Sequence, residues 1–236
     1  MKLFAATLLL ITFFTCSCSS AVELPLVHLV RQPLVASDQP PMLILLHGYG
    51  SNEEDLFTLA SSLPEELLII SVRAPISIGD GQFAWYNLRF ENGKPVYNSS
   101  ETDISRQQII SFIEDMKHKH HPDPSRIFLC GFSQGAIMSY SVALNRPDLL
   151  KGVAAMSGRL LQEDMDKKYT DEKVKDLKVL ISHGTEDKKI PVSEGDKANT
   201  FLKSLGVQPE YKTYKAVHEI NAAMLGDLKR WMIENI

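Results

Sequence analysis

Short apolar runs that alternate with helical patterns constrain the fold of this 236-residue chain more than any other feature. Such runs, uninterrupted by polar residues, are typical of strands that a sheet buries on both faces. They occupy residues 42–46, 67–72, 126–130, 153–157 and 178–182, and residues 210–214 alternate like a further strand. Strands alternating with helices predict an α/β fold, in which a mostly parallel sheet carries helices on both faces.

Length and composition indicate one globular domain over residues 21–236. Hydrophobic residues make up 44% of the chain and charged residues 23%, as in ordinary folded domains. The net charge is −4. A nucleic-acid-binding domain usually has a basic excess or a basic face, and neither is present, so a nucleic-acid partner is not expected.

The first 20 residues differ from the rest and predict a secretory signal peptide. Lys2 precedes an uncharged apolar stretch, and a tail of small residues and cysteines follows it. The stretch is shorter than the about 20 residues that span a bilayer. We therefore expect export to the periplasm or cell envelope. The pair Ser17-Cys18 resembles a lipoprotein processing site, where a lipidated Cys18 would attach the chain to a membrane. A plain signal peptide or a short membrane anchor is the alternative.

Residues 131–135, with the sequence GFSQG, match the G-x-S-x-G nucleophile elbow. The motif places a serine on a sharp strand-to-helix turn, so its hydroxyl projects above the sheet edge beside the N-terminus of a helix. Here it lies between the apolar run at residues 126–130 and a helical pattern that ends near Asn145. This context identifies Ser133 as the candidate nucleophile.

A serine nucleophile needs a histidine base, and the base needs a carboxylate to orient it. In this fold the three follow the order serine, acid, histidine. Asp187 follows the strand at residues 178–182, with Glu186 beside it as a rival, and His218 follows the last strand. His47 and His183 precede these positions in the chain, which favours a structural role for both.

The oxyanion hole of such enzymes combines the N–H after the nucleophile with an N–H from a loop after an early strand. These are the backbone N–H groups of Gln134 and Tyr49. A long segment, residues 76–97, reads as an irregular loop that contains the adjacent aromatics Trp85 and Tyr86. Two roles remain open for this pair, namely the wall of a substrate pocket or a cover over the core.

Three clustered histidines raise the question of a metal site. His118, His120 and His121 lie among lysines at the end of a predicted helix, where basic residues favour the C-terminus. No cysteine or carboxylate nearby completes a ligand set, so we predict neither a metal ion nor another cofactor.

Four segments together resemble the small carboxylesterase family of α/β-hydrolases, which includes acyl-protein thioesterases and lysophospholipases. They are LHGYGSN (46–52), GFSQG (131–135), HGTEDKKIPV (183–192) and VHEI (217–220). The resemblance covers the chain from about residue 41 to its end. It implies Ser133, Asp187 and His218 as the triad, and Tyr49 and Gln134 as oxyanion donors. The family often has leucine at the position of Tyr49, so the mouth of the acyl pocket is expected to differ here.

The expected activity is hydrolysis of carboxylic esters (EC 3.1.1 class) through an acyl-enzyme, with a small-molecule ester as the substrate. The chain length leaves no room for a large cap domain, which favours short or medium acyl groups. A thioesterase or lysophospholipase using the same site remains open, although export argues against protein depalmitoylation. A non-catalytic, ligand-binding protein of this fold is the alternative of another class.

Overall fold

A seven-stranded sheet forms the centre of the fold, and the computed structural model describes residues 26–92 and 94–236. The strands are β1 (His28–Arg31), β2 (Met42–Leu46), β3 (Leu68–Val72), β4 (Ile76–Gly79), β5 (Gln82–Ala84), β6 (Arg89–Glu91), β7 (Lys94–Val96), β8 (Ile127–Phe132), β9 (Gly152–Met156), β10 (Lys178–Gly184) and β11 (Glu210–Tyr214). The helices are α1 (Glu53–Phe57), α2 (Ser99–His120), α3 (Gln134–Asn145), α4 (Gln162–Met165), α5 (Val192–Ser204) and α6 (Ala222–Asn235). The predicted signal peptide, with Cys18, lies outside the described residues.

The sheet has the strand order β1-β3-β2-β8-β9-β10-β11. Only β1 pairs antiparallel, at one edge, and the other neighbours are parallel. The predicted mostly parallel sheet is therefore confirmed, and the strand boundaries differ from the apolar runs by one or two residues. The carboxyl ends of β2, β8, β9, β10 and β11 all meet at one edge, which is where ligands bind in open α/β sheets.

Helices cover both faces of the sheet, as predicted. Alternate strand residues contribute to two separate cores: Ile44 and Leu129, for example, belong to one, and Leu45 and Cys130 to the other. Helices α2, α3 and α5 pack on the first core, which we call the α2 side, and α1 and α6 pack on the second, the α6 side. Among the described helices, none is both long and apolar enough to cross a membrane.

The segment at residues 76–97 is not the irregular loop that the sequence suggested. It forms two small antiparallel hairpins, β4–β5 and β6–β7. Their strands have only three or four residues, too few to show an alternating pattern. The dipeptides Asp80-Gly81 and Asn92-Gly93 are hairpin-turn sequences that indicate this structure.

The many charged side chains of residues 161–175 predict a solvated segment, and this prediction is wrong in part. Leu161 and Asp164 are each 1% exposed, and Val174 is 2% exposed. The Asp164 carboxylate is buried because its Oδ1 accepts a hydrogen bond from Asn145 Nδ2 (2.9 Å) and lies 3.8 Å from Arg106 Nη1. Paired charges of this kind are the usual exception to the exposure of acidic residues.

The histidine cluster lies at the end of α2, with His121 in the left-handed conformation that closes the helix. No group of three or more metal-ligating side chains occurs in the part of the chain that the structure describes. Cys130 is a free, buried cysteine in β8, and its burial raises the pKa of the thiol to about 12.

Candidate active site

Ser133 lies at the tight turn between β8 and α3, with φ 53° and ψ −117°. A non-glycine residue seldom adopts a positive φ, and such strain is frequent at functional sites. Its N–H donates to the carbonyl of Met156 (2.9 Å), which ties the turn to β9. A side chain at Gly135 would overlap the Leu46 carbonyl, and one at Gly131 would overlap the backbone of Gly135. The two motif glycines therefore allow the turn to form.

His218 connects Ser133 to Asp187. Its Nε2 lies 2.8 Å from Ser133 Oγ, and its Nδ1 lies 2.6 Å from Asp187 Oδ2. A carboxylate only accepts hydrogen bonds, so Nδ1 carries the proton and Nε2 is the acceptor for the serine hydroxyl. The structure thus brings together three residues that are separated by 31 and 85 positions in the chain.

The loop after β10 fixes the Asp187 carboxylate. Its Oδ1 accepts hydrogen bonds from the N–H groups of Lys189 (2.8 Å) and Ile190 (2.9 Å), which leaves Oδ2 directed at His218. His183 is fully buried beside it and donates from Nε2 to the Ile190 carbonyl (2.8 Å). Its position supports this loop, in agreement with the structural role inferred from chain order. Glu186 has no such contacts, so it is not the acid of this cluster.

Gln134, which follows Ser133 in the chain, and the loop that contains Gly48 and Tyr49 both lie beside the serine. Gln134 is the first residue of α3, where an N–H has no acceptor within its own helix. The loop that contains Tyr49 passes close over the nucleophile, since a Cβ on Gly48 would lie 3.3 Å from Ser133 Cβ. The Tyr49 side chain is 44% exposed.

His47 holds this loop in shape. Its Nε2 accepts the N–H of Ala74 (3.0 Å), so its Nδ1 carries the proton and donates to the Gly48 carbonyl (2.7 Å). Burial lowers the pKa of His47 below its usual 6.5, which favours the neutral ring that both contacts require. These two contacts fix the loop at residues 47–50, which we call the oxyanion loop after its expected role. The sequence did not reveal which groups His47 contacts.

Trp85 and Tyr86 do not line a pocket. They are 0% and 1% exposed, so neither offers a surface to a ligand, and of the two roles left open the structure shows the one in the core. Their backbone is attached to the nucleophile helix by the Gln134 side chain. Its Oε1 accepts the Trp85 N–H (2.8 Å), and its Nε2 donates to the Tyr86 carbonyl (2.7 Å). In addition, Trp85 Nε1 donates to the His47 carbonyl (3.0 Å).

Arg159 is a further residue at this edge that the sequence reading missed. It follows β9 by three positions, and its guanidinium carbon lies 5.2 Å from the centre of the Tyr97 ring. A cation shortly after the carboxyl end of a central parallel strand was the signal that could have indicated it.

Comparison with known proteins shows which family the sequence matches. A family model described as phospholipase/carboxylesterase matches residues 34–236. The carboxylesterase SOBER1 of Arabidopsis thaliana is 29% identical over 67% of this chain and 71% of that protein. Acyl-protein thioesterase 1 of Emericella nidulans is 28% identical over 80% of this chain and 88% of that protein. The crystal structure of a Bacillus cereus carboxylesterase superposes with a TM-score of 0.78 at 19% identity, over 89% of this chain and 95% of the other, which shows the same fold.

Proposed function

Because this chain belongs to the phospholipase/carboxylesterase family of α/β-hydrolases, we propose that Ser133, His218 and Asp187 are the catalytic triad of an esterase. The family and the α/β-hydrolase fold, which has no large cap over residues 26–92 and 94–236, are confirmed, and so is the class of enzyme, a carboxylesterase-type hydrolase. The single observation that carries the triad is the continuous contact from Ser133 Oγ through His218 to Asp187.

The proposed reaction has two acyl-transfer steps. His218 Nε2 removes the Ser133 proton as Oγ attacks the ester carbonyl, and the same imidazole then returns the proton to the leaving alcohol. Water, deprotonated by His218, attacks the resulting acyl-enzyme, and His218 returns this proton to Ser133 Oγ as the bond to Oγ breaks and the acid is released. Asp187 holds the imidazole in the required tautomer and stabilises the imidazolium.

The negative charge that forms on the carbonyl oxygen is stabilised by the N–H groups of Tyr49 and Gln134. Loss of one such donor typically costs about 3–4 kcal/mol of transition-state stabilisation. The reaction requires no metal ion or cofactor, since proton transfer and charge stabilisation both come from protein groups.

The proposed substrates are small-molecule esters with short or medium acyl groups. Support comes from the described part of the chain, which forms no cap domain that could shelter a long acyl chain above the site. A thioesterase activity at the same serine is the second candidate, and the relationship to acyl-protein thioesterase 1 favours it.

The test is hydrolysis of p-nitrophenyl esters from acetate to palmitate by the purified protein, beside Ser133→Ala. We expect activity that the variant loses, with an optimum at short or medium chains. Comparing butyryl-CoA with p-nitrophenyl butyrate separates thioester from ester preference. A folded protein that is inactive on every ester and thioester would support the non-catalytic alternative instead.

We also propose export to the periplasm or cell envelope, supported by the charge and hydropathy pattern of residues 1–20. Mass spectrometry of the N-terminus after bacterial expression tests it, with Cys18→Ala as the control. Cleavage before Cys18 with an added diacylglycerol, absent from the variant, indicates a lipoprotein, and cleavage elsewhere a plain signal peptide. An uncleaved chain in the cytoplasm would contradict export.

A further inference from the structure

Arg159 lies close to the nucleophile by the connectivity of the sheet. β8 and β9 are parallel neighbours, and the Ser133 N–H bonds to the Met156 carbonyl at the end of β9. Gly158 packs on the first turn of α3, where an added Cβ would lie 2.6 Å from Ala136 Cβ. Arg159 is the next residue. At most about 10 Å of extended chain therefore separates its backbone from Met156, whose carbonyl accepts the Ser133 N–H.

Most N–H donors of the Arg159 guanidinium have no hydrogen-bond acceptor among the described residues. Within the described residues, it forms one hydrogen bond, from Nη1 to the Leu160 carbonyl (3.1 Å), and a cation–π contact with Tyr97 at 5.2 Å, and it forms no ion pair. A guanidinium carries five N–H donors, so most of them are available to a ligand. Glu163 also reaches Tyr97, but its two oxygens accept from the hydroxyls of Tyr97 (2.8 Å) and Thr102 (2.9 Å) and not from Arg159.

Arg159 and His218 contact aromatic rings on opposite faces of the sheet. The His218 ring contacts Phe132, with ring centres 4.9 Å apart, and Phe132 packs on the α6 side. Tyr97, which supports Arg159, packs on the α2 side. Since His218 must return its proton to the leaving alcohol, we expect the alcohol on the side of His218 and the acyl chain on the α2 side.

We propose that Arg159 binds a carboxylate at the far end of the acyl group, so that the preferred substrates are half-esters of dicarboxylic acids. The inference rests on the esterase function proposed above and adds the substrate class. Arginine suits the role because its planar fork binds a carboxylate with two parallel hydrogen bonds, and the cation–π contact with Tyr97 favours one position of the guanidinium. The cation is only partly exposed, which limits screening by solvent and salt.

The test compares monomethyl adipate with methyl hexanoate, two esters with six-carbon acyl groups of which only the first ends in a carboxylate. We expect kcat/KM to be at least about tenfold higher for monomethyl adipate than for methyl hexanoate. The ratio of these two kcat/KM values should fall about tenfold or more in Arg159→Gln. Arg159→Lys should retain part of the preference, because it keeps the charge but loses the fork. The preference should also weaken as ionic strength rises.

Lys229→Gln is the matched control for the loss of one positive charge, since Lys229 is exposed on α6 and should leave the ratio unchanged. An unchanged ratio in Arg159→Gln would overturn the proposal, as would a wild-type preference for methyl hexanoate. Carboxymethyl acetate carries its carboxylate on the alcohol part. If it is preferred over the uncharged ethyl acetate, and if this preference depends on Arg159, the assignment of Arg159 to the acyl side is overturned. Failure of the esterase function is distinguishable, because p-nitrophenyl acetate would then not be hydrolysed either.

Discussion

The Gln134 side chain offers a quantitative test of how the site is held together. Its amide bonds to the Trp85 N–H and the Tyr86 carbonyl, and Gln134 itself is 3% exposed. Gln134→Met keeps the side-chain length and removes both hydrogen bonds. A buried polar group without a partner costs about 1–3 kcal/mol, and two are created, so we expect the free energy of unfolding to fall by about 2–5 kcal/mol.

Urea denaturation followed by far-UV circular dichroism measures this loss, which should lower the midpoint at an unchanged m-value. In a domain of this size the change corresponds to roughly 4–20 °C in Tm. Gln39→Met is the control, because Gln39 is exposed and should change the unfolding free energy by less than about 0.5 kcal/mol. If the free energy of unfolding of Gln134→Met lies within about 0.5 kcal/mol of the wild-type value, the Gln134 amide does not connect the hairpin segment to α3 in the way we argue.

Three further variants, with Gly226→Ala as a control for one of them, test the triad, the elbow and the oxyanion loop. Asp187→Asn should lower kcat about a thousand- to ten-thousand-fold on p-nitrophenyl acetate, because the imidazole loses its tautomer, and a loss below tenfold would contradict the assignment. Gly135→Ala should unfold the protein or destabilise it by more than about 3 kcal/mol in a thermal melt, since the new methyl meets the Leu46 carbonyl. Gly226→Ala, a helical glycine with open space around it, should instead stabilise by about 0.4–1 kcal/mol. Because burial lowers the pKa of His47, the unfolded chain takes up its proton first, and unfolding free energy should fall as pH drops below 6.5; His47→Gln should lose this part of the pH dependence.

The central strands could be predicted because burial on both faces leaves a sequence signal that no local interaction contradicts. Residues 42–46, for example, are apolar without interruption, and every one of them is fully buried. The same holds for the site: Ser133 is identified by a motif with a steric cause, and Asp187 and His218 by the fixed order of strand ends. The parallel sheet then brings all three strand ends to one edge.

The other features depend on contacts between distant segments and could not be predicted from local pattern. Trp85 and Tyr86 are buried because Gln134, almost 50 residues away, satisfies their backbone. Asp164 is buried because Arg106 lies near its charge and Asn145 donates a hydrogen bond to its Oδ1. In each case the polar partner that permits burial comes from another element, so hydropathy and spacing within one segment carry no sign of it.

The hydrogen bond from Trp85 to the oxyanion loop gives the molecule an internal optical label. The chain has two tryptophans, Trp85 and Trp231, and they lie in the two different cores. In a Trp231→Phe background, all indole emission would come from the ring bonded to the His47 carbonyl. Its intensity and wavelength would then follow the loop during acylation and water attack. Stopped-flow fluorescence could thus record each turnover without any chromogenic substrate.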